Sequence, residues 1–234
     1  MANKLWRLCA DSKVQVTTVH SCLLGEFVRM SEYANSQVRA KVWVTPDQVE
    51  ALRSACYATG VDYLQQRNEA IVTTMYDTGL RVGELVQLDV ELLRNNNSEL
   101  YLPTGLQKDY PNQNSPPPVT LELADDTTRL LSAYLTNRWK DTSSLFPSRS
   151  SERISEQGVR NMLHKIAEEA GIRPYKLDGS RGDPSDVTPH ALRHGVAYRM
   201  MNEEDGNTLY DVRNRLRHRS IQTTERVYDH LLKV

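Results

Sequence analysis

The sequence predicts a mainly helical α+β fold with one small antiparallel β-sheet. Apolar residues recur at helical spacing in most segments between residues 45 and 231, capping and stop residues bracket those segments, and only residues 99–123 alternate as strands do. The 234 residues, 39% of them hydrophobic, suffice for one good core and a small second unit. No apolar run approaches the roughly 20 residues of a membrane helix, and the N-terminus lacks a basic region followed by an apolar one. A cytoplasmic protein with no membrane partner is therefore expected. Cys9, Cys22 and Cys56 are odd in number and lack CxxC spacing, so neither a disulfide framework nor a zinc knuckle is expected.

Residues 1–44 are expected to form a short N-terminal segment, in which Leu23, Leu24, Phe27 and Met30 show some helical periodicity. Residues 45–234 form the main domain. Thr45-Pro46-Asp47-Gln48 reads as a helix start: Thr caps, Pro suits the first turn and Gln completes a capping box. Val49, Leu52 and Cys56 mark its inner face, and Gly60 is its expected end. A second helix is predicted from Tyr63 to Thr78, with Leu64, Ile71 and Met75 in register and Gly79 as a left-handed stop. Arg81 follows directly, and Leu85 and Leu88 suggest another short helix.

Leu100-Tyr101-Leu102 and Val119-Thr120-Leu121-Glu122-Leu123 read as the two strands of a hairpin whose long polar tip ends in three stiffening prolines, 116–118. Helices resume at Asp126–Trp139 and Ser155–Ala170, the latter closed by Gly171. After a loop rich in Gly, Asp and Pro from Asp178 to Asp186, Thr188 can cap a helix with Pro189 in its first turn. His190 and Arg193 then share one face of that turn, where free N–H groups and the helix dipole favour an anion. Two shorter helices are predicted, at Leu209–Leu216 and Ile221–Leu231.

Charge is unevenly spread: residues 46–137 hold six basic and thirteen acidic residues, whereas residues 188–234 hold eight and six. Arg213, Arg215, Arg217 and Arg219 alternate around His218, a pattern that taken alone reads as a solvated helix face. Together, Arg81, Lys108, His190, Arg193, His218 and Tyr228 are complementary to a phosphodiester. Two guanidiniums can hold non-bridging oxygens bidentately and stay charged at any working pH. A phenol titrates near pH 10, so as a nucleophile it must be placed in line and relieved of its proton. His190 and His194 have a spacing usable by zinc, but no Glu lies between them as a base and Arg193 would repel the ion, so no metal or other cofactor is expected.

Thr78-Gly79-Leu80-Arg81-Val82-Gly83-Glu84-Leu85, His190-Ala191-Leu192-Arg193-His194 and Leu216-Arg217-His218-Arg219-Ser220-Ile221-Gln222-Thr223-Thr224, ending in Tyr228, resemble the three boxes of the tyrosine recombinase (phage integrase) family in composition, order and spacing. The resemblance covers residues 45–230 and implies that family's catalytic-domain fold. It implies site-specific DNA recombination or integration through a 3′-phosphotyrosyl intermediate, without metal. Carried over, Tyr228 is the nucleophile and Arg81 and Arg193 clamp the phosphate. His190 handles the tyrosine proton, His218 bonds a non-bridging oxygen, and Lys108 protonates the 5′-oxygen leaving group. Lys108 is the sole lysine between Lys41 and Lys140 and falls at the hairpin tip, where the family's lysine sits. Glu84 reads as an acceptor orienting Arg81, and His194 as a packed, satisfied histidine. Tyr198 and Tyr210 precede His218 and are out of order for a nucleophile.

The implied partner is double-stranded DNA, bound by a homotetramer on two synapsed sites that is a monomer or weak dimer when free, in a nucleoid-associated location. The run Thr223–His230 resembles archaeal and archaeal-virus members. Three features differ from the family pattern. His218 and Tyr228 are ten residues apart instead of nine, so a turn or bulge is expected near Glu225-Arg226-Val227, because one residue rotates a helix by about 100°. Arg217 stands where the family usually has Gly, reshaping the turn or adding a phosphate contact. The resemblance further leads one to expect residues 1–44 to be a short remnant of, or linker from, a DNA-clamp domain. Two further readings stay open: a DNA-binding regulator or relic of the fold, and a topoisomerase-like relaxing enzyme.

Overall fold

Thr45 starts the first helix, α1 (Pro46–Ala55), with its N–H donating to Gln48 Oε1 at 3.1 Å, as the capping signature requires. The computed structural model describes residues 41–108 and 115–231, which lie in one unit spanning residues 40–234. Most of the expected N-terminal segment, Cys9 and Cys22 included, lies outside the described residues. α1 stops at Ala55, short of Gly60, and turns lead into α2 (Asp62–Thr78). Every residue of α2 from Arg67 to Thr78 is buried, so its polar members need internal partners. Arg53 and Tyr57 bond Glu69, and Asp77 accepts from Ala124 N–H at 2.9 Å, securing the start of a later helix. Gly79 ends α2 at φ +63°, its N–H donating to Met75 O at 2.9 Å. A Cβ there would sit 2.5 Å from Leu216 Cδ2, so both the backbone conformation and the close approach require glycine.

α3 (Val82–Leu85) leads to a three-stranded antiparallel sheet of β2 (Leu93–Arg94), β3 (Glu99–Leu102) and β4 (Val119–Glu122). The predicted hairpin is β3 and β4, in register Leu100↔Leu121 and Leu102↔Val119, with Leu100, Leu102 and Leu121 buried on one face. β2 was not anticipated; its turn into β3 places Asn95, Asn96 and Asn97 at positive φ, which asparagine tolerates better than most residues. α4 (Asp125–Asn137) and α5 (Glu156–Glu169) follow, the latter capped by Ser155 Oγ, which accepts from Gly158 N–H at 3.0 Å.

A second, two-stranded sheet pairs β1 (Val42–Trp43) with β5 (Tyr175–Lys176). The single sheet expected from sequence is therefore corrected to two. Two-residue strands contain no alternation to read, and this pair is accompanied by Trp43 stacking on Tyr175 and Tyr198, with ring centroids 6.0 and 6.4 Å apart.

α6 (Pro189–Asn202), α7 (Leu209–Leu216) and α8 (Ile221–Tyr228) complete the domain, followed by a 3₁₀ turn at Asp229–Leu231. Thr188 Oγ1 caps α6 by accepting from Ala191 N–H at 3.2 Å. α6 is buried on most sides and packs on α2, β1 and α7. At Gly195 a Cβ would lie 2.7 Å from Val44 O, so this glycine lets α6 approach the chain beside β1. Ile71, Met75, Leu80, Leu192, Val196 and Leu216 form the core beneath the three boxes, each contributing on the order of 1.5–3 kcal/mol by its burial.

The arginine run on α7 is not a solvated face. Arg215 turns inward to Asp77 Oδ1 at 2.5 Å and to Glu122 O at 2.9 Å, fastening α7 to α2 and β4. Arg217 also turns inward, while Arg219 stays exposed.

Candidate active site

Three helix ends converge to build the site. Gly79 turns the chain out of α2 and delivers Arg81 to the N-cap of α3, Thr188 and Pro189 start α6 so that His190 and Arg193 lie in its first turns, and the end of α7 presents Arg217 and His218.

Arg81 donates from Nη1 to Glu84 Oε1 at 2.9 Å, and its backbone N–H donates to Glu84 Oε2 at 2.9 Å. Glu84 is 2% exposed, and Arg217 Nη2 donates to its Oε2 at 2.7 Å. Burial alone would raise the Glu84 pKa, but Arg217, Arg81, the Arg81 N–H and Arg193 outweigh it and hold the carboxyl below its ordinary value. Glu84 thus orients Arg81, as expected. Arg217 is only 8% exposed and bonds Thr78 O, Arg215 O and Glu84, so the suggestion that it adds a phosphate contact is corrected: its guanidinium faces inward. It occupies the left-handed region at φ 55°, ψ 47°, the conformation for which glycine is suited.

Arg193, 4% exposed, donates from Nη1 to Gly79 O and from Nη2 to Leu216 O, joining the ends of α2 and α7. Burial, then Arg81 and Arg217, push its pKa down to about 9, and it remains a cation at neutral pH. His190 is solvent-exposed on the first turn of α6; partial loss of hydration, then Arg193, Arg81, Arg160 and Lys108, lower its pKa. His218 Nδ1 lies 3.0 Å from the buried Thr224 Oγ1. Burial and then Arg193 and Arg81 push the His218 pKa down to about 3, so its ring is neutral at pH 7.

Tyr228 is 1% exposed at the end of α8. Its hydroxyl lies 3.0 Å from His194 Nδ1, and its ring stacks on His218 with centroids 5.9 Å apart at 8°. Burial pushes the phenol up to about 12 while Arg193 and Arg81 pull it down. His194, held neutral by burial and then by His190 and Arg193 at a pKa of about 3, is an acceptor for the phenolic proton. The expected bulge near Glu225-Arg226-Val227 does not occur. α8 runs through these residues unbroken, and the non-helical part of the stretch from His218 to Tyr228 is His218-Arg219-Ser220, before the helix.

The rings of His190, His194, Tyr228 and His218 follow one another in contact, and the charges of Arg81 and Arg193 act on His190, His218 and Tyr228 alike. Lys108 lies exposed at the edge of the described residues. Gln107 beside it bridges the hairpin's two limbs, donating from Nε2 to Leu102 O at 3.3 Å and to Pro117 O at 2.8 Å. Sequence reasoning missed the contact between His194 and the phenol, although the i, i+4 relation to His190 placed both rings on one face; they stand 6.3 Å apart, nearly parallel. It gave no role to Thr224, although that residue closes the third box, because its contact with His218 depends on how α8 folds back.

Residues 42–233 match the family model described as the phage integrase family. A tyrosine recombinase XerC of Bifidobacterium longum (strain DJO10A) is 30% identical over 179 residues, covering 71% of this chain and 44% of that protein. The chain thus spans about half the length of the relatives it matches. Among solved structures, XerA recombinase superposes with a TM-score of 0.60 at 22% identity, over 82% of this chain and 58% of that one. XerH site-specific recombinase bound to difH substrate superposes with 0.59 at 18% identity, over 80% and 50%. At these identities the superpositions show the fold: mainly helical, with small antiparallel sheets.

Proposed function

Since the chain belongs to the phage integrase family, the tyrosine recombinases, we propose that it cleaves and rejoins DNA at specific sites through a covalent bond to Tyr228. One observation carries this reading: a buried phenol, hydrogen-bonded to a neutral imidazole, lies in the field of two arginines anchored at converging helix ends. The Tyr228 oxygen attacks the scissile phosphorus, the bond from phosphorus to the 5′-oxygen breaks, and a 3′-phosphotyrosyl ester and a free 5′-hydroxyl result. The phenolic proton leaves through His194, in hydrogen-bond contact with the hydroxyl, toward the exposed His190, whose ring lies 6.3 Å from that of His194. Arg81, with 28% of its side chain exposed, meets the phosphorane directly, and Arg193, bonded to Gly79 O and Leu216 O beneath it, adds its charge from the interior, so that together they spread the added negative charge. With the Thr224 hydroxyl donating to Nδ1, neutral His218 carries its proton on Nε2 and can donate it to a non-bridging oxygen. Attack of a partner strand's 5′-hydroxyl on the phosphotyrosine reverses the sequence and exchanges strands.

The partner is double-stranded DNA, on which the active assembly is a homotetramer joining two sites. No helix among the described residues is long and apolar enough to cross a membrane. The reading is tested by incubating the protein in EDTA with a pool of nicked, random-sequence duplexes and sequencing DNA that stays attached under denaturing conditions. Adducts with free 5′-hydroxyls, enriched for one sequence, are expected. Non-covalent retention alone overturns the reading, and adducts without sequence preference replace it with a relaxing enzyme.

The same reading makes Lys108 the acid that protonates the departing 5′-oxygen. Lys108→Met is expected to slow cleavage by about 10² to 10⁴-fold. Replacing the bridging 5′-oxygen by sulfur should remove most of that deficit, since a thiol of pKa about 8.5 leaves without protonation. A deficit equal on both substrates would remove Lys108 from this role.

A further inference from the structure

Arg217 is an arginine in a place that suits neither its backbone nor its charge. It closes α7 in the left-handed region, where a side chain is strained, and its guanidinium is buried to 6% exposure. What it holds there is Glu84 Oε2, at 2.7 Å. Glu84 has three cations around it: Arg217 from the end of α7, Arg81 from the N-cap of α3 and Arg193 from α6. Were Arg217 missing, Arg81 would be the cation hydrogen-bonded to Glu84, with Arg193 bonded instead to Gly79 O and Leu216 O, and the carboxylate would cancel more of the charge that Arg81 presents. Arg81 keeps 28% of its side chain exposed, whereas Glu84 and Arg217 are closed off at 2% and 6%. The surplus positive charge of the group is therefore expressed through Arg81.

On the footing of the DNA-cleavage reading above, we propose that Arg217 is a positioning residue for the phosphate clamp: by sharing Glu84 with Arg81 and neutralising the carboxylate, it leaves more of the charge of Arg81 free to act on a DNA phosphate. The same helix end supplies Leu216 O to Arg193, so α7 sets both guanidiniums of the clamp. The dependence on Glu84 separates this role from simple support of the turn. Glycine suits the left-handed turn, so Arg217→Gly removes the guanidinium without forcing the backbone.

Arg217→Gly is expected to slow single-turnover adduct formation on saturating DNA by about 10- to 100-fold, and by less than about threefold in a Glu84→Gln background, where no carboxylate remains to cancel Arg81. Arg217→Gln keeps a side chain, removes the charge and should show the same dependence, which covers a glycine variant that fails to fold. A loss of equal size in both backgrounds, or no loss, overturns the proposal. Inorganic phosphate, titrated while the Arg81 Nε resonance is followed, reads the same coupling without DNA. Arg217→Gly should weaken that binding severalfold, and Glu84→Gln should restore it. If the unaltered protein forms no adduct on any duplex, the cleavage reading fails, and the phosphate titration still decides the role of Arg217: binding indifferent to Arg217→Gly overturns it.

Discussion

Tyr228→Phe is expected to abolish the covalent protein–DNA adduct, lowering cleavage by at least about 10⁴-fold. The variant isolates one oxygen atom. Phenylalanine preserves the ring that stacks on His218 and fills the end of α8, so the fold loses only the 3.0 Å hydrogen bond to His194, worth about 1 kcal/mol. DNA retention should persist with its salt sensitivity intact, because the cationic phosphate contacts are untouched. A denaturing gel of protein on nicked duplex measures the adduct, and a filter-binding curve measures retention. An adduct that survives the substitution would transfer the nucleophile's role to another side chain, with Tyr198 and Tyr210 the first to test.

Arg193→Ala should damage stability and chemistry together. Arg193 is 4% exposed and its two Nη groups satisfy Gly79 O and Leu216 O, so truncation leaves two buried carbonyls unpaired and a void between α2, α6 and α7. A loss of about 3–5 kcal/mol in urea denaturation is expected, comparable to breaking other buried charged contacts. Cleavage, measured below the unfolding transition, should fall by about 10³-fold or more, the scale on which a clamping arginine acts in phosphoryl transfer. Arg193→Lys keeps a charge but lacks the planar fork that reaches both carbonyls, so it should lie between the two. A fully stable Arg193→Ala protein would show that the helix ends are held by other contacts, and undiminished cleavage would remove Arg193 from the clamp.

Much of this site was legible before any tertiary contact was known. Helix starts at Thr45, Ser155 and Thr188 are written as capping residues, and the left-handed stop at Gly79 as a glycine after an apolar run. These signals act within a few residues of where they stand. The β3–β4 hairpin was visible for the same reason. β2 and the β1–β5 pair were not, because strands of two residues have no period and depend on partners brought from elsewhere in the chain.

The sequence by itself determined which chemical groups are present and which helix end carries each: guanidiniums at 81 and 193, imidazoles at 190 and 218, a phenol at 228. Only the tertiary structure decided how they pair. Arg217 meets Glu84 across 133 positions and the Tyr228 hydroxyl meets His194 across 34. From sequence alone, Arg217 could be a surface cation and His194 a packed ring. Periodicity tells which face of a helix is buried, because burial is set by local alternation of apolar and polar residues. It carries no information about which buried polar group finds which partner. That choice depends on where α2, α6, α7 and α8 converge, and the cost of leaving a charge or a hydroxyl unpaired in the interior enforces it.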